Sequence, residues 1–424
     1  MYESSRYNKF FFENDNIFLF NSFTRACVSI EKDEIEKIKH ILENSASCKN
    51  EDLTNQKILL ENGFIIPKGI NEIEILEYNY SANYFQTENI NVVLVPTLVC
   101  NFKCPYCYEE GHKKEYDLKK DYFAVLKKFA EKNFQNKKKV IISLFGGEPL
   151  LKKEELFSYL DYLMNHSKNH GYELTSNIVT NGFLLDKKTL TELIRYNCGS
   201  IQITLDGKKE SHNKLRKLHN DGETFDRIID NLKMTIRYSS EIKSEVNFIL
   251  RINLFNQNVQ DIESIFKVFT EVERNKIQIY FRPIYKTNYF NKSNSNTIFD
   301  LKKFYDSAKK YGFQIFKSPY SLQYCEAYGS NNFFYITPDL KIWKCMNDMT
   351  NEKTNIGNIE KTGKVKFNLK NMVEWYQKAN PFKDEKCRNC YYLPFCFGGC
   401  ILYHAKTGRR RCISKDIVVT PYFY

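Results

Sequence analysis

The chain has 424 residues, 42% hydrophobic and 27% charged, so it can bury large cores and does not belong to the disordered class. Its 63 Lys and Arg against 51 Asp and Glu give a formal charge of +12, spread apart from short runs at Lys137–Lys139 and Arg409–Arg411; this reads as a solvated surface, and nucleic-acid binding is not expected. No run of 18 apolar residues occurs and the N-terminal MYESSRYNKF has no signal-peptide core, so a cytoplasmic chain without a membrane span is expected, in which 13 cysteines point to metal or redox chemistry rather than disulfides.

Residues 7–29 read as a hairpin: KFFFEN and IFLFNSF are rich in strand formers and flank the turn signal Asp15-Asn16. Glu31–Leu42 reads as a helix with Ile35, Ile38 and Ile41 on one face and Leu42 beside them. Asn55–Asn62 reads as a second short helix ended by Gly63, with Phe64-Ile65-Ile66 as a returning strand. A hairpin, helices and a wing make residues 1–85 a winged-helix-like unit, similar in order and size to the leader-recognition elements fused to enzymes that modify ribosomally made peptides. A cap over the following domain is the other reading. Cys27 and Cys48 stand far from other cysteines and read as ordinary residues.

The apolar run Val92–Val95 reads as a buried strand ending at Pro96. The loop after it carries Cys100, Cys104 and Cys107 in the spacing C-x3-C-x2-C, followed by Tyr108. Three thiolates on one short loop can hold three corners of a four-iron cluster and leave one iron open. A zinc knuckle is the alternative, but structural zinc takes four ligands, and no further Cys or His stands near before His112. From about residue 91 to 285 strand and helix patterns alternate, with strands at 91–96, 139–145, 174–180, 200–205, 244–254 and 276–284. Between them lie helical stretches such as Tyr122–Phe134, with Tyr122, Leu126 and Phe129 at helical spacing. This alternation predicts an α/β fold with a parallel sheet and right-handed crossovers, whose chemistry sits at the C-terminal strand ends.

The cysteine loop resembles the signature of the radical S-adenosylmethionine (radical SAM) enzymes. The resemblance implies a partial (β/α)6 barrel over residues 86–290, with Cys100, Cys104 and Cys107 holding a [4Fe-4S] cluster whose open iron chelates SAM. An electron from such a cluster cleaves SAM to a 5′-deoxyadenosyl radical, which abstracts a substrate hydrogen. Further strand ends fit the family. Gly146-Gly147-Glu148-Pro149 after the second strand is similar to its motif for the SAM amino group, and paired glycines allow close backbone approach to a ligand. Thr180-Asn181-Gly182 ends the third strand, which implies a place for Asn181 near the nucleoside. Gln202-Ile203-Thr204-Leu205-Asp206-Gly207 resembles the QxSLDG segment of the peptide-modifying branch, with Thr204 where Ser commonly faces the ribose. His212 and Arg216 follow in HNKLR, where the family often has HDxxR; Arg216 is a candidate for the SAM carboxylate, and His212 reads as structural. Arg251 and Asn253 alternate with Ile252 and Leu254, so they share one face of the fifth strand, inside the barrel near the SAM. Cys198 closes a helix and is expected to be buried.

Residues 291–324 read as a bridge, with an exposed loop at Asn291–Asn296. The remaining cysteines gather in residues 325–424: Cys325, Cys345, then Cys387, Cys390, Cys396 and Cys400 as C-x2-C-x5-C-x3-C, then Cys412. This order resembles the SPASM iron–sulfur extension of radical SAM peptide maturases, with Leu340 where the pattern has Gly at a local turn. The resemblance implies two auxiliary iron–sulfur clusters: Cys325, Cys345 and Cys400 hold the first, and Cys387, Cys390, Cys396 and Cys412 the second. A pair of structural zinc sites is the alternative.

Together these features identify a radical SAM/SPASM enzyme that modifies a ribosomally synthesised precursor peptide with a leader and takes electrons from a donor such as flavodoxin or ferredoxin. The first auxiliary cluster is one cysteine short, and an open iron there suits a substrate thiolate, hence thioether cross-linking. The alternatives are formylglycine formation of the anaerobic sulfatase-maturating type, C–C cross-linking or epimerisation. Met346 stands where the sulfatase maturases carry an acidic residue.

Overall fold

The computed structural model describes residues 1–13, 15–44, 53–107, 109, 121–255, 257–284, 301–316, 330–349 and 351–410. Cys48, Tyr108, His112, the 291–296 loop, Cys325 and Cys412 therefore lie outside the described residues. The chain divides into two compact units. One joins residues 1–86 and 317–331 to the chain from Val373 on; the other comprises residues 87–316 and 332–372.

In the N-terminal part of the first unit, β1 (Tyr2–Ser4) precedes a three-stranded antiparallel sheet of β2 (Asn8–Glu13), β3 (Asn16–Asn21) and β4 (Cys27–Ile30). The expected hairpin is β2–β3, closed where Glu13 pairs with Asn16. Next come α1 (Ile35–Glu43) and α2 (Leu53–Glu61), and then β5 (Ile65–Pro67), which pairs antiparallel with β1. Ile38, Ile41 and Leu42 of α1 are buried with Ile17 and Leu19 of β3, and Ile35 is partly buried against the same core. The helix α3 (Glu72–Phe85) starts at Asn71, whose side chain accepts from Glu74 N.

The cysteine-rich C-terminal segment shares the cores of this unit. The Phe20 ring stacks on Phe395 at 5.7 Å, and the Arg25 guanidinium lies 3.9 Å from the centre of the Phe395 ring. Ser22 Oγ donates to Tyr391 O at 2.7 Å. Tyr7, Ile73, Leu76 and Tyr80 are buried with Phe382, Leu393 and Phe397, and Cys387 packs against them. Burying each such aromatic side chain is worth about 1.5–3 kcal/mol.

The second unit carries the parallel sheet. Its strands are β6 (Asn89–Leu94), β7 (Lys139–Leu144), β8 (Glu173–Thr180), β9 (Cys198–Leu205), β10 (Asn247–Leu254) and β11 (Ile277–Pro283), each within a few residues of its expected place. They are hydrogen-bonded in chain order, and all neighbours run parallel. The helices between them are α4 (Tyr122–Asn133), α5 (Lys153–His170), α6 (Lys187–Arg195), α7 (Lys209–Leu215), α8 (Phe225–Glu241), α9 (Val259–Phe266) and α10 (Glu271–Arg274). Tyr122, Leu126 and Phe129 of α4 are all buried, as their spacing predicts.

The burial pattern shows which face of the sheet stays open. Val140, Ile142 and Leu144 of β7 and Leu174, Ile178 and Thr180 of β8 are buried, whereas Ile141, Ser143, Thr175, Asn177 and Val179 between them are only half-buried. A parallel sheet is normally covered on both faces. At β7 and β8 one face is covered and the other, carrying Ile141, Ser143, Thr175, Asn177 and Val179, is partly open.

Two parallel neighbours extend the predicted set. After α11 (Leu301–Lys310), β12 (Gln314–Ile315) joins β11, and β13 (Phe333–Ile336) joins β6 at the other edge. The sheet continues antiparallel through β14 (Lys341–Trp343), β15 (Gly357–Ile359) and β16 (Val365–Phe367). The turn from β13 to β14 puts Leu340, the residue standing for the expected Gly, in the left-handed region at φ 65°. Leu340 N donates to Thr337 O at 2.8 Å, and its side chain is buried. The turn is thus made without glycine; burial of the leucine offsets a left-handed cost of about 1–2 kcal/mol.

Candidate active site at the strand ends

The cysteine loop leaves the end of β6 and is held at its base by the loop after β7. Gly147 N donates to Thr97 O and Glu148 N to Val99 O, both at 3.0 Å. The two glycines serve this backbone contact. A Cβ on Gly146, at φ 132°, would lie 2.4 Å from Thr97 O, and one on Gly147 would lie 2.3 Å from Val99 O and 2.5 Å from Leu98 O. Close approach was expected toward a ligand, and on this side the partner is the cysteine loop itself. Gly147→Ala is therefore expected to displace the base of that loop, because a Cβ 2.3 Å from Val99 O forces one of the two backbones to move. Iron retained after anaerobic reconstitution should fall well below that of the unsubstituted chain; equal iron content would refute this reading.

Glu148 is fully buried and its side chain is engaged within the fold. One carboxylate oxygen accepts from Leu150 N (3.0 Å) and Thr180 Oγ1 (2.8 Å), and the other from Asn181 N (2.8 Å). Burial pushes this carboxyl up, and the three donors oppose the shift. Pro149 opens a 3-10 turn, Pro149–Lys152. Asn181, at the end of β8, donates from Nδ2 to Asn101 Oδ1 at 2.7 Å, with Cys100 Sγ 3.8 Å away. The second and third strand ends thus brace each other and the cysteine loop.

The fourth and fifth strand ends form a buried polar hub that includes two residues sequence reasoning did not single out, Tyr106 and Asp206. Tyr106, between Cys104 and Cys107, donates its phenol to Asp206 Oδ2. Asn253 Nδ2 donates to Asp206 Oδ1 at 2.9 Å, and Arg251 Nε to Asn253 Oδ1 at 3.0 Å, so the expected shared face of Arg251 and Asn253 is present. Arg216 Nη1 donates to the Tyr106 oxygen at 3.0 Å and lies 4.0 Å from Asp206 Oδ1, while Arg216 Nε is buried with no hydrogen-bond partner among the described residues. Burial pushes the Asp206 carboxyl up; Arg216 and the hydrogen bonds from Tyr106 and Asn253 pull it back. The signal in the sequence was Asp206 itself, directly after Thr204-Leu205. Thr204 is buried and pairs with Arg251 across β9 and β10. His212 lies within the fold: its Nδ1 accepts from Asp206 N at 3.3 Å and its Nε2 is 3.1 Å from Thr224 Oγ1.

Cys100 and Cys107 are half-buried and Cys104 is buried. Burial pushes the thiols of Cys100 and Cys104 up to about 11 and about 12. Thiolates there need a metal's charge to form at neutral pH. Among the described residues no three His, Cys, Asp or Glu side chains converge as ligands of a single ion. A four-iron cluster instead spreads its thiolates over separate corners. Three cysteines on one loop, beside a buried guanidinium nitrogen that has no hydrogen-bond partner among the described residues, fit a cluster and an anionic ligand.

Cys345 follows β14 in the second unit and is half-buried. In the first unit Cys387, Cys390 and Cys396 are half-buried and Cys400 is exposed. The Cys387 segment is pinned by Asp384, which accepts from Cys387 N and from Arg410 Nε, each at 3.1 Å. Cys27 is exposed, and Cys198 is buried with its thiol 3.4 Å from Ser200 O.

Residues 94–269, which span the cysteine loop and the strand ends just described, match the Radical SAM superfamily. The chain is 27% identical over 304 residues to the radical SAM cyclopropyl synthase TigE of Paramaledivibacter caminithermalis, covering 62% of this chain and 61% of TigE. It thus spans somewhat less than two thirds of that relative. It is 24% identical over 330 residues to the cysteine-type anaerobic sulfatase-maturating enzyme of Clostridium perfringens, covering 71% of this chain and 85% of the relative. Among solved structures, Streptococcus suis SuiB bound to its precursor peptide SuiA aligns over 96% of this chain and 98% of SuiB, with a TM-score of 0.52 and 16% identity. That likeness shows a shared fold: an α/β radical SAM partial barrel with a large, mostly parallel sheet. Among the described residues no helix is long and apolar enough to cross a membrane.

Proposed function

We propose that the chain is a peptide-modifying radical SAM enzyme acting on a ribosomally synthesised precursor. The observation that carries this reading is the strand-end site, in which a three-cysteine loop is locked to the GGEP loop and to the Tyr106–Asp206–Arg216 hub. Cys100, Cys104 and Cys107 would hold the [4Fe-4S] cluster that, with SAM bound, supplies the hydrogen-abstracting chemistry. Arg216 presents a buried Nε, without a hydrogen-bond partner among the described residues, that suits a carboxylate. The backbone of Gly146–Pro149, Asn181, Thr204 and Asn253 line the adjoining strand ends, where the SAM amino group and nucleoside would lie. The partly open face of β7 and β8 leaves room for a substrate segment.

The C-terminal cysteines would hold two auxiliary clusters: Cys325, Cys345 and Cys400 the first, and Cys387, Cys390, Cys396 and Cys412 the second. Residues 1–85 would receive the leader of the precursor, and a small cytoplasmic electron carrier such as flavodoxin or ferredoxin would be the reductant. TigE is a radical SAM cyclopropyl synthase, the Clostridium perfringens relative is a sulfatase-maturating enzyme, and SuiB was solved with a precursor peptide; these likenesses support a peptide substrate.

The specific reaction we propose is a thioether between a substrate cysteine and a carbon, because the first auxiliary set has one cysteine too few to close a cluster. A thiolate is a strong iron ligand, and binding there would orient it. Co-expression with a peptide encoded beside this gene is expected to give a product 2 Da lighter per cross-link, as about two hydrogens are lost when S–H and C–H become S–C. The peptide cysteine should also resist alkylation. A product with all its cysteines alkylatable would reject the thioether. Conversion of a Cys or Ser to an aldehyde would instead favour the sulfatase-maturating reading, which the relative of Clostridium perfringens supports.

A further inference from the structure

We propose that the chain pairs with a second copy of itself through the outer faces of two helices, α3 and α12 (Leu369–Ala379). The inner face of α3 is packed: Ile73, Leu76, Tyr80 and Tyr84 are buried. On its outer face Ile75, Tyr78, Ala82 and Phe85 recur at i, i+3, i+7 and i+10, the spacing of a helix-packing seam. A helix that is apolar on both faces belongs between two layers. Among the described residues only one layer is present, since Ile75 stays 40%, Tyr78 73% and Phe85 54% exposed. The helix α12 repeats the pattern with Leu369, Val373 and Tyr376 at i, i+4 and i+7, where Leu369 is 70% and Val373 55% exposed. The two stripes join, because the Tyr376 ring centre lies 5.3 Å from that of Phe85 and 4.9 Å from that of Tyr84.

Single exposed apolar side chains need no explanation, but a joined stripe does. A whole aromatic side chain offers roughly 150–250 Å², so the exposed fractions of Ile75, Tyr78, Phe85, Leu369 and Val373 come to a total on the order of 500 Å². A monomer rarely leaves more than a few hundred Å² of contiguous apolar surface open. A standard interface takes roughly 800 Å² from each partner, which the stripe approaches once its polar rim is added.

The charges on the rim indicate which partner. The helix α3 carries three glutamates and no Lys or Arg. Of these, Glu72 is buried and Glu77 Oε2 lies 3.9 Å from Arg388 Nη1, which leaves Glu74 exposed beside Ile75. On α12, Lys378 pairs with Glu374 at 3.3 Å, which leaves Lys370 exposed beside Leu369. One chain thus presents an acid-rimmed stripe and a base-rimmed stripe that meet at the Phe85–Tyr376 contact. In a two-fold pair each residue i that meets j on the partner is matched by j meeting i. A two-fold axis at that contact lays α3 of one copy on α12 of the other, twice over, and brings the Glu74 end of each α3 to the Lys370 end of the other copy's α12. A different partner would have to carry both signs in the right order, whereas a second copy does so by symmetry.

The test is sedimentation equilibrium of the full-length reconstituted enzyme at micromolar concentrations. Twice the chain mass is expected. Tyr78→Lys should raise the dimer dissociation constant by about tenfold or more, with circular dichroism and iron content unchanged. Val373→Glu, on the other helix, gives the same reading should Tyr78→Lys fail to fold. Glu74→Lys should weaken the dimer, and adding Lys370→Glu should restore it, because the exchange recreates the pairing across the two-fold axis. A monomer at every concentration overturns the proposal. That includes the cases in which removing the apolar C-terminal sequence IVVTPYFY then permits pairing, or in which a precursor peptide binds the stripe instead, since another occupant would then cover it. A dimer unmoved by both Tyr78→Lys and Val373→Glu overturns it as well, as does one lost in Glu74→Lys and not recovered in the double variant.

Discussion

Replacing Cys100, Cys104 and Cys107 together by alanine is expected to abolish reductive cleavage of SAM, with 5′-deoxyadenosine at the level of an enzyme-free control. Iron should fall by about four atoms per chain, the content of one cluster, and iron held by the C-terminal cysteines in the proposed auxiliary clusters should remain. The expectation is sharp because contacts other than the thiols hold the loop. Asn181 Nδ2 bonds Asn101 Oδ1 at 2.7 Å, His219 Nε2 is 3.0 Å from Cys100 O, Lys103 N donates to Lys217 O at 2.9 Å, and Phe102 forms an isolated bridge with Leu218. Tyr106 is tied to Asp206 and Arg216. The triple variant should therefore keep its fold, and lost activity would report lost ligands. The measurement is chromatographic quantitation of 5′-deoxyadenosine after anaerobic reconstitution with SAM and dithionite. Undiminished product would mean that the cluster is held elsewhere.

Much of this site is readable from local sequence because parallel strands bury apolar runs. VVLV, VIISL and ILRINL announce β6, β7 and β10, and the residues after each strand fall at the mouth of the sheet. What the sequence hid is pairwise and distant. Nothing local says that Tyr106 will meet a carboxylate 100 positions away, or that Glu148 will be capped by Thr180 and Asn181. Nor does FFYI at 333–336 announce that it lies beside β6 rather than in a separate layer, since its position depends on which edge of the sheet remains open. Leu340 is the converse case. A missing glycine put a local turn in doubt, yet burial of the leucine accompanies a turn formed at φ 65°.

Glu148→Ala is expected to be the most destabilising single substitution at the strand ends. The carboxylate is fully buried and serves three donors on two loops: Leu150 N, Thr180 Oγ1 and Asn181 N. Truncation leaves all three without this acceptor and opens a cavity the size of the side chain. At about 1–3 kcal/mol for each stranded donor the sum is on the order of 2–6 kcal/mol, allowing for the Thr180 hydroxyl to rotate to another acceptor. That is a large share of the roughly 5–15 kcal/mol by which domains are stable. Glu148→Gln should fall between the two. Its amide oxygen can keep Leu150 N and Thr180 Oγ1, but its NH2 then faces the Asn181 N–H, donor against donor. Because Asn181 also bonds Asn101, the slackening should reach the cysteine loop as well as the global fold. Denaturant unfolding of the apo chain should rank wild type above Gln above Ala, and iron retention after reconstitution should follow the same order. An alanine variant within about 0.5 kcal/mol of wild type, the range of ordinary surface substitutions, would show that the brace is dispensable and that the conformation of the GGEP loop is set by its glycines alone.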